Sequence, residues 1–260
     1  MKVLMVSGSN RRNGNTHRIF ELLAHELTAE PLAGHTVEVE TLELGRRQIK
    51  TCTGCRACFD QGEARCPLKD DLLPTLAQLQ AADLLVVASP VYVSDVSGLL
   101  KNWIDRLAFL CHRPALGGKP VYLIATTGSS PARSTIRTMQ GAFITWGARL
   151  RGSSSFIMGA LMPLDSVQQR YGAQVRKAAA AIRRELAASP QCRPNLVELM
   201  VFNIQSTAWK KSAPDSLDHR YWQENGWLEP GASYFVPHKS SLFAGLLARV
   251  IGPLVAFFVS

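Results

Sequence analysis

Gly8-Ser9-Asn10-Arg11-Arg12-Asn13-Gly14-Asn15-Thr16 is the stretch on which the fold turns. The apolar run Val3 to Val6 precedes it and reads as a short buried strand. His17 to Leu27 follows, where Ile19, Phe20, Leu22, Leu23 and Leu27 recur at helical spacing. The order is therefore strand, polar glycine-bearing loop, helix start. A helix N-terminus presents unpaired N–H groups and the positive end of the helix dipole, which together suit an anion. Ser9, Asn10, Asn13, Asn15 and Thr16 add neutral donors, and Arg11 and Arg12 add charge.

Two nucleotide motifs are excluded. A Walker A loop requires Gly-x4-Gly-Lys-Ser/Thr, but five residues separate Gly8 from Gly14 and Asn15 stands in the lysine position. The fingerprint G-x-G-x-x-G is absent as well. Two readings stay open for the loop: a phosphate cradle for a mononucleotide such as FMN, and an ordinary polar turn with a good N-cap.

Working outward, His35 to Leu44 is a strand candidate, and Asp70-Asp71 opens a helix running to Ala82, its acids complementing the helix dipole. Asp83 to Ala88 is nearly continuous in apolar residues, as in a central parallel strand buried on both faces. Ser89-Pro90-Val91-Tyr92-Val93-Ser94 then reads as a loop and Ser97 to Leu110 as a helix. Lys119 to Thr126 is a strand ending in Thr126-Thr127-Gly128-Ser129-Ser130. Thr135 to Trp146 is helical, Leu150 to Met158 is the fifth strand, and Ser166 to Ala188 is a long helix. Strands alternating with helices predict an α/β, flavodoxin-like, doubly wound five-stranded parallel sheet over residues 1–188. Residues 189–260 form a C-terminal aromatic and apolar extension. In such a fold, ligands sit beyond the carboxyl ends of the strands, here the 8–16, 89–95 and 126–131 loops.

The 260 residues are 47% hydrophobic, enough for a sizeable core, and carry a formal charge of +9. The excess reads as a basic surface, and no nucleic-acid module signature is present. Met1-Lys2 leads into strand-like sequence without a charged n-region and apolar h-region, so the expected location is cytoplasmic, or membrane-associated from the cytoplasmic side. No Ser-His-Asp, paired-carboxylate or HExxH constellation stands out.

Six cysteines are present, four of them between positions 52 and 66. Taken together, the Gly8–Thr16 loop, Cys52-Thr53-Gly54-Cys55-Arg56-Ala57-Cys58, Cys66-Pro67-Leu68-Lys69-Asp70-Asp71, Ser89-Pro90-Val91-Tyr92 and Gly98-Leu99-Leu100-Lys101-Asn102-Trp103-Ile104-Asp105-Arg106 resemble the NADPH-dependent FMN reductase family and its relatives, the iron–sulfur flavoproteins. The resemblance covers about residues 1–160. It implies FMN, a flavodoxin-like core, homodimers or homotetramers, and two-electron transfer from NAD(P)H to a quinone, a free flavin or a similar acceptor. It implies that Ser9, Arg11, Asn13, Asn15 and Thr16 hold the phosphate. Pro90, Val91, Tyr92 and Val93 would flank the isoalloxazine, and Thr127 and Gly128 would meet its polar edge. No side chain is then catalytic, because the flavin carries the chemistry. Lys101, Asp105 and Arg106 look like the family's helix motif, structural or interfacial, with Lys101 and Asp105 paired at i, i+4.

The spacing C-x2-C-x2-C-x7-C through Cys52, Cys55, Cys58 and Cys66 suits a [4Fe–4S] cluster. A four-thiolate zinc site and a set of plain thiols near the flavin remain alternatives. With a cluster, the chain would instead be an iron–sulfur flavoprotein carrying electrons from a ferredoxin to FMN. A third class is a flavin-binding scaffold without turnover. Cys111 and Cys192 are isolated thiols.

Beyond residue 190, Trp209, Asp218, Tyr221, Trp222, Trp227 and Tyr234 mark an aromatic, loop-prone segment of packing anchors, with His219 structural. Leu242 to Val259 is almost wholly apolar, broken by Arg249 and Gly252-Pro253. It reads as a helix buried against the domain or a partner subunit, with a peripheral membrane contact or a span as alternatives.

Overall fold

The computed structural model describes residues 1–129, 131–188 and 192–259, with the side chains of 242 and 252–259 left aside. In chain order the elements are β1 (Lys2–Ser7), α1 (Asn15–Thr28), β2 (Glu38–Glu43), α2 (Ala57–Asp60), α3 (Leu72–Ala81), β3 (Leu84–Tyr92), β4 (Asp95–Val96), α4 (Gly98–Arg106), β5 (Pro120–Thr127), α5 (Arg133–Thr145), β6 (Arg149–Ile157), α6 (Leu164–Ala187), α7 (Leu196–Lys210), α8 (Leu217–Glu224) and α9 (Leu242–Val259).

The sheet order is β2-β1-β3-β5-β6, all parallel, with β4 antiparallel to the end of β3. That is the flavodoxin-like arrangement, with one short strand more than expected. The chain runs outward from β1 to β2 and returns to the other side at β3, so the carboxyl ends of β1 and β3 open a crevice. Val3 to Val6 and Leu84 to Ala88 are buried throughout, which explains their lack of polar alternation.

Their alternate side chains feed two cores. Leu4, Val6, Leu85, Val87 and Leu123 meet Trp103, Phe143 and Trp146 beneath α4 and α5. Val3, Met5, Val86 and Ile124 meet Ile19, Phe20, Leu23, Val175 and Ile182 of α1 and α6 on the opposite face. Each such side chain contributes about 1.5–3 kcal/mol through burial.

Three local expectations are corrected. The segment 89–94 is not a loop: β3 continues through Tyr92 and reverses into β4, with Val91 opposite Val96. The sequence hid the hairpin because its turn is Val93-Ser94, both at positive φ (48° and 65°), where Asn-Gly is the usual signal. Val93 is β-branched, fully exposed and in a conformation such residues avoid. Val93→Asn is therefore expected to stabilise the protein by about 1 kcal/mol in urea unfolding, by removing that strain. Second, Asp70 and Asp71 stand before α3 rather than in its first turn. Their carboxylates accept from Lys50 N (2.9 Å) and Gln48 N (2.8 Å), tying the chain ahead of the cysteines to the start of α3.

Third, the segment after residue 190 is helical rather than loop-prone. Asn195 and Glu198 form a reciprocal capping box that starts α7. Phe202, Trp222, Trp227, Tyr234 and Phe235 build a third core, with Trp222 and Trp227 centroids 5.1 Å apart. His219 Nδ1 meets Trp209 O at 2.8 Å, a structural bond. α9 packs on this core through Ala244 and Ala248, while Phe243, Leu246 and Val250 face outward. Among the described residues no helix is long and apolar enough to cross a membrane.

Candidate functional site

The crevice lies where topology places it. A cleft of about 220 Å³ is lined by Ser9, Arg11, Gly14, Asn15 and Thr16 from the β1–α1 loop, and by Pro90, Val91 and Tyr92 from the end of β3. Thr126, Thr127 and Gly128 from β5, and Gly159 and Ala160 beyond β6, complete it. Of the expected cofactor residues, only Asn13 and Val93 are not in this lining. Gly159 and Ala160 were not expected; the glycine after the fifth strand was the available signal. Ser130 lies outside the described residues.

Among the described residues the lining carries one arginine and no carboxylate. α1 opens at Gly14, which offers no side-chain cap, and no acid occupies the first turn. Its leading N–H groups and dipole are thus left to a ligand. Donors plus positive potential in an acid-free cleft fit a phosphate monoester.

Several loop side chains have structural bonds as well. Asn15 Nδ2 donates to Gly159 O (3.1 Å) and Asn15 Oδ1 accepts from Met162 N (3.0 Å), so this amide pins the β6–α6 connection beside the loop. Thr16 Oγ1 and Thr126 Oγ1 are 2.7 Å apart, joining the helix start to β5. Ser9 Oγ accepts from Arg11 N at 3.2 Å. Asn10, Arg12 and Asn13 are exposed.

Behind the cleft, Gly8 N donates to Ala88 O (2.8 Å) and Gly8 O accepts from Ser97 Oγ (2.6 Å). Ser97 also caps α4 by accepting from Leu100 N (3.1 Å). Its own N–H donates to Ser89 Oγ (3.0 Å). The phosphate-loop candidate, the β3 hairpin and α4 are therefore one hydrogen-bonded unit.

The far end of α4 meets the cysteine loop. Arg106 is buried, donates to Lys50 O (2.7 Å) and pairs with buried Asp70 (2.6 and 3.2 Å). Its Nη2 stands 3.9 Å from Cys66 Sγ. Burial alone would raise the Asp70 pKa, but the bonds from Arg106 and the Lys50 and Leu72 amides hold it below the usual carboxylate range. Lys101 and Asp105 pair on the exposed side of the same helix, at 2.6 and 2.7 Å.

Cys52, Cys55, Cys58 and Cys66 all line one cavity of about 80 Å³, with Phe59, Leu68, Leu72, Arg106 and Phe109 among its walls. Burial, then repulsion from Cys66, Cys52 and Cys55, pushes the Cys58 thiol up, so it is a poor nucleophile at neutral pH. Cys52 and Cys55 are exposed, and among the described residues no three His, Cys, Asp or Glu side chains gather so as to hold a metal ion. A cluster here requires the loop to draw its thiols together.

A doubly wound parallel sheet with a donor-lined, acid-free cleft at its switch point defines a flavodoxin-like protein. The chain belongs to the NADPH-dependent FMN reductase family, whose model matches residues 1–160. It is 34% identical over 119 residues to an iron–sulfur flavoprotein of Archaeoglobus fulgidus, covering 46% of this chain and 51% of that one. It is 31% identical over 147 residues to an FMN-dependent NADH:quinone oxidoreductase of Leptothrix cholodnii, covering 49% and 69%. An FMN-dependent NADH-azoreductase structure from Bacillus anthracis, in complex with FMN, shares the fold, with TM-score 0.52, 14% identity and coverage of 72% and 100%. The chain spans about half the length of three of the iron–sulfur flavoproteins it matches.

Proposed function

We propose that this chain is an FMN-dependent NAD(P)H oxidoreductase that reduces a quinone, a free flavin or a similar acceptor. The acid-free, donor-lined cleft at the switch point carries the reading. Bound FMN would supply hydride acceptance and donation at N5. Ser9, Arg11, Thr16 and the open start of α1 would hold the phosphate, with Asn15 fixing the neighbouring wall. Tyr92, half exposed at the rim, offers an aromatic face, and the half-buried Pro90 and Val91 would give the ring an apolar wall. Thr127 and Gly128 bring backbone to the far edge. Pockets that bury a whole small ligand measure about 300–1,000 Å³, so this cleft leaves the ring system for a second copy of the chain to cover. That supports a homodimer or homotetramer; the location proposed for it is the cytoplasm.

The test is an absorption spectrum of protein purified without oxygen, followed by NADH or NADPH. Flavin bands, retained or restored by added FMN and bleached by a nicotinamide within seconds, are expected. Protein that neither carries nor takes up FMN overturns the proposal.

A second reading is favoured by the four cysteines lining one cavity: a [4Fe–4S] cluster passing electrons from a ferredoxin. Iron and acid-labile sulfide on the same sample decide it, about four irons per chain supporting it. The outward-facing Phe243, Leu246 and Val250 support a peripheral lipid contact and a lipid-soluble quinone; failure to co-float with anionic vesicles removes that part alone.

A further inference from the structure

The C-terminal extension meets the core at several places: Glu198 accepts from Leu150 N (2.8 Å) and pairs with Arg151 (3.2 Å) at the edge strand, and a second set of contacts falls on the connector after α4. Gln205 Nε2 donates to Cys111 O (2.8 Å), Trp222 Nε1 to His112 O (2.7 Å), and Tyr221 Oη to Pro114 O (2.7 Å). These three bonds hold the connector that follows α4. From that connector, Arg113 reaches both ways. Its Nη1 pairs with Asp218 of α8, and its Nη2 donates to Cys58 O and lies 3.2 Å from Glu63 Oε2, both in the cysteine loop. Arg113 is 5% exposed, so this guanidinium is sealed between the loop and α8. His112 Nδ1 lies 2.8 Å from the other Asp218 oxygen. The imidazole stands between Phe59 of the loop (4.6 Å between centroids) and Trp209 of α7 (4.8 Å).

The contacts fall on one side of the loop. They engage residues 58, 59 and 63, whereas Cys52-Thr53-Gly54-Cys55 is exposed throughout. We propose that the C-terminal extension is a lid latched onto the cysteine loop by Arg113 and Asp218, so that a redox partner reaches the loop only from its Cys52–Cys55 edge. The lid holds whatever the loop carries, so this inference stands or falls separately from the FMN and cluster readings.

Hydrogen exchange on the full chain tests it, together with alkylation of the reduced protein by iodoacetamide mapped by mass spectrometry. In the parent protein, Cys52 and Cys55 label first and Cys58 slowly. Asp218→Asn is expected to speed exchange of the 57–66 amides and labelling of Cys58 by about tenfold or more, as a local opening. Cys192 is buried in the extension's own core and reports whether the extension itself has unfolded. Unchanged Cys58 labelling and unchanged exchange overturn the proposal. If Cys58 and Cys192 both accelerate, Glu63→Gln decides: it removes only the half-exposed loop-side carboxylate. Faster Cys58 labelling there, with Cys192 unchanged, upholds the latch, and no change overturns it.

Discussion

Arg106→Leu is expected to cost about 3–5 kcal/mol in denaturant unfolding, the usual penalty for removing one partner of a buried ion pair. Both side chains are essentially inaccessible, at 2% and 1% exposure, so Asp70 would be left charged and unpaired. Lys50 O would lose its 2.7 Å donor as well. Asp70→Leu combined with Arg106→Leu should recover most of the loss, since two apolar groups leave no uncompensated charge. The pH dependence gives a second readout. The folded Asp70 pKa lies below its unfolded value of about 3.9, so the pair's contribution is complete above that pH and is lost as pH falls toward the folded value. The double variant should lack this part of the acid limb when stabilities at pH 5 and pH 3 are compared.

Gly8→Val should have the largest effect on ligand binding. A Cβ at Gly8 would lie 2.9 Å from Leu100 Cβ and 3.1 Å from Ala88 O, one of them backbone and the other the root of a helix side chain. Neither can swing aside, so the loop must move. Overpacking of this kind costs about 1–3 kcal/mol. The loop also loses its alignment with the start of α1, and FMN affinity should fall about a hundredfold, about 2.7 kcal/mol, in a fluorescence titration. Gly141→Ala is the contrasting control. It sits within α5 with nothing inside 4 Å of an added Cβ, and should stabilise by about 0.5–1 kcal/mol without touching the cleft. An unchanged FMN affinity in Gly8→Val would remove the β1–α1 loop from the binding site.

The sheet was legible because Val3–Val6 and Leu84–Ala88 are buried on both faces and must be apolar at every position. Most of the cleft was legible because topology alone brings the β1, β3 and β5 ends together. What stayed hidden depends on distance in sequence or on conformational strain. Asp70 and Arg106 are 36 residues apart, and neither residue type says that it is buried against the other. The Val93-Ser94 turn carries none of the residues that normally announce a hairpin. The start of α7 is different: Asn195 and Glu198 spell a capping box, and the aromatic density downstream obscured it. Asp218 reads as one of the packing anchors of the aromatic segment, but that it is a buried partner of Arg113 and His112 follows only from α8 folding back onto residues 112–113.

Helix α4 joins the phosphate-loop candidate at Ser97 to the neck of the cysteine loop at Arg106. Nine steps at about 1.5 Å each make it a gauge of about 13–14 Å. Substitution along its exposed face leaves that gauge intact. One inserted residue would swing Arg106 by about 100° and break the register between the two sites. The length of α4 is therefore quantised: it can change only in steps that disconnect one site or the other, and the spacing between cleft and cysteines is set by a count of residues rather than by their identity.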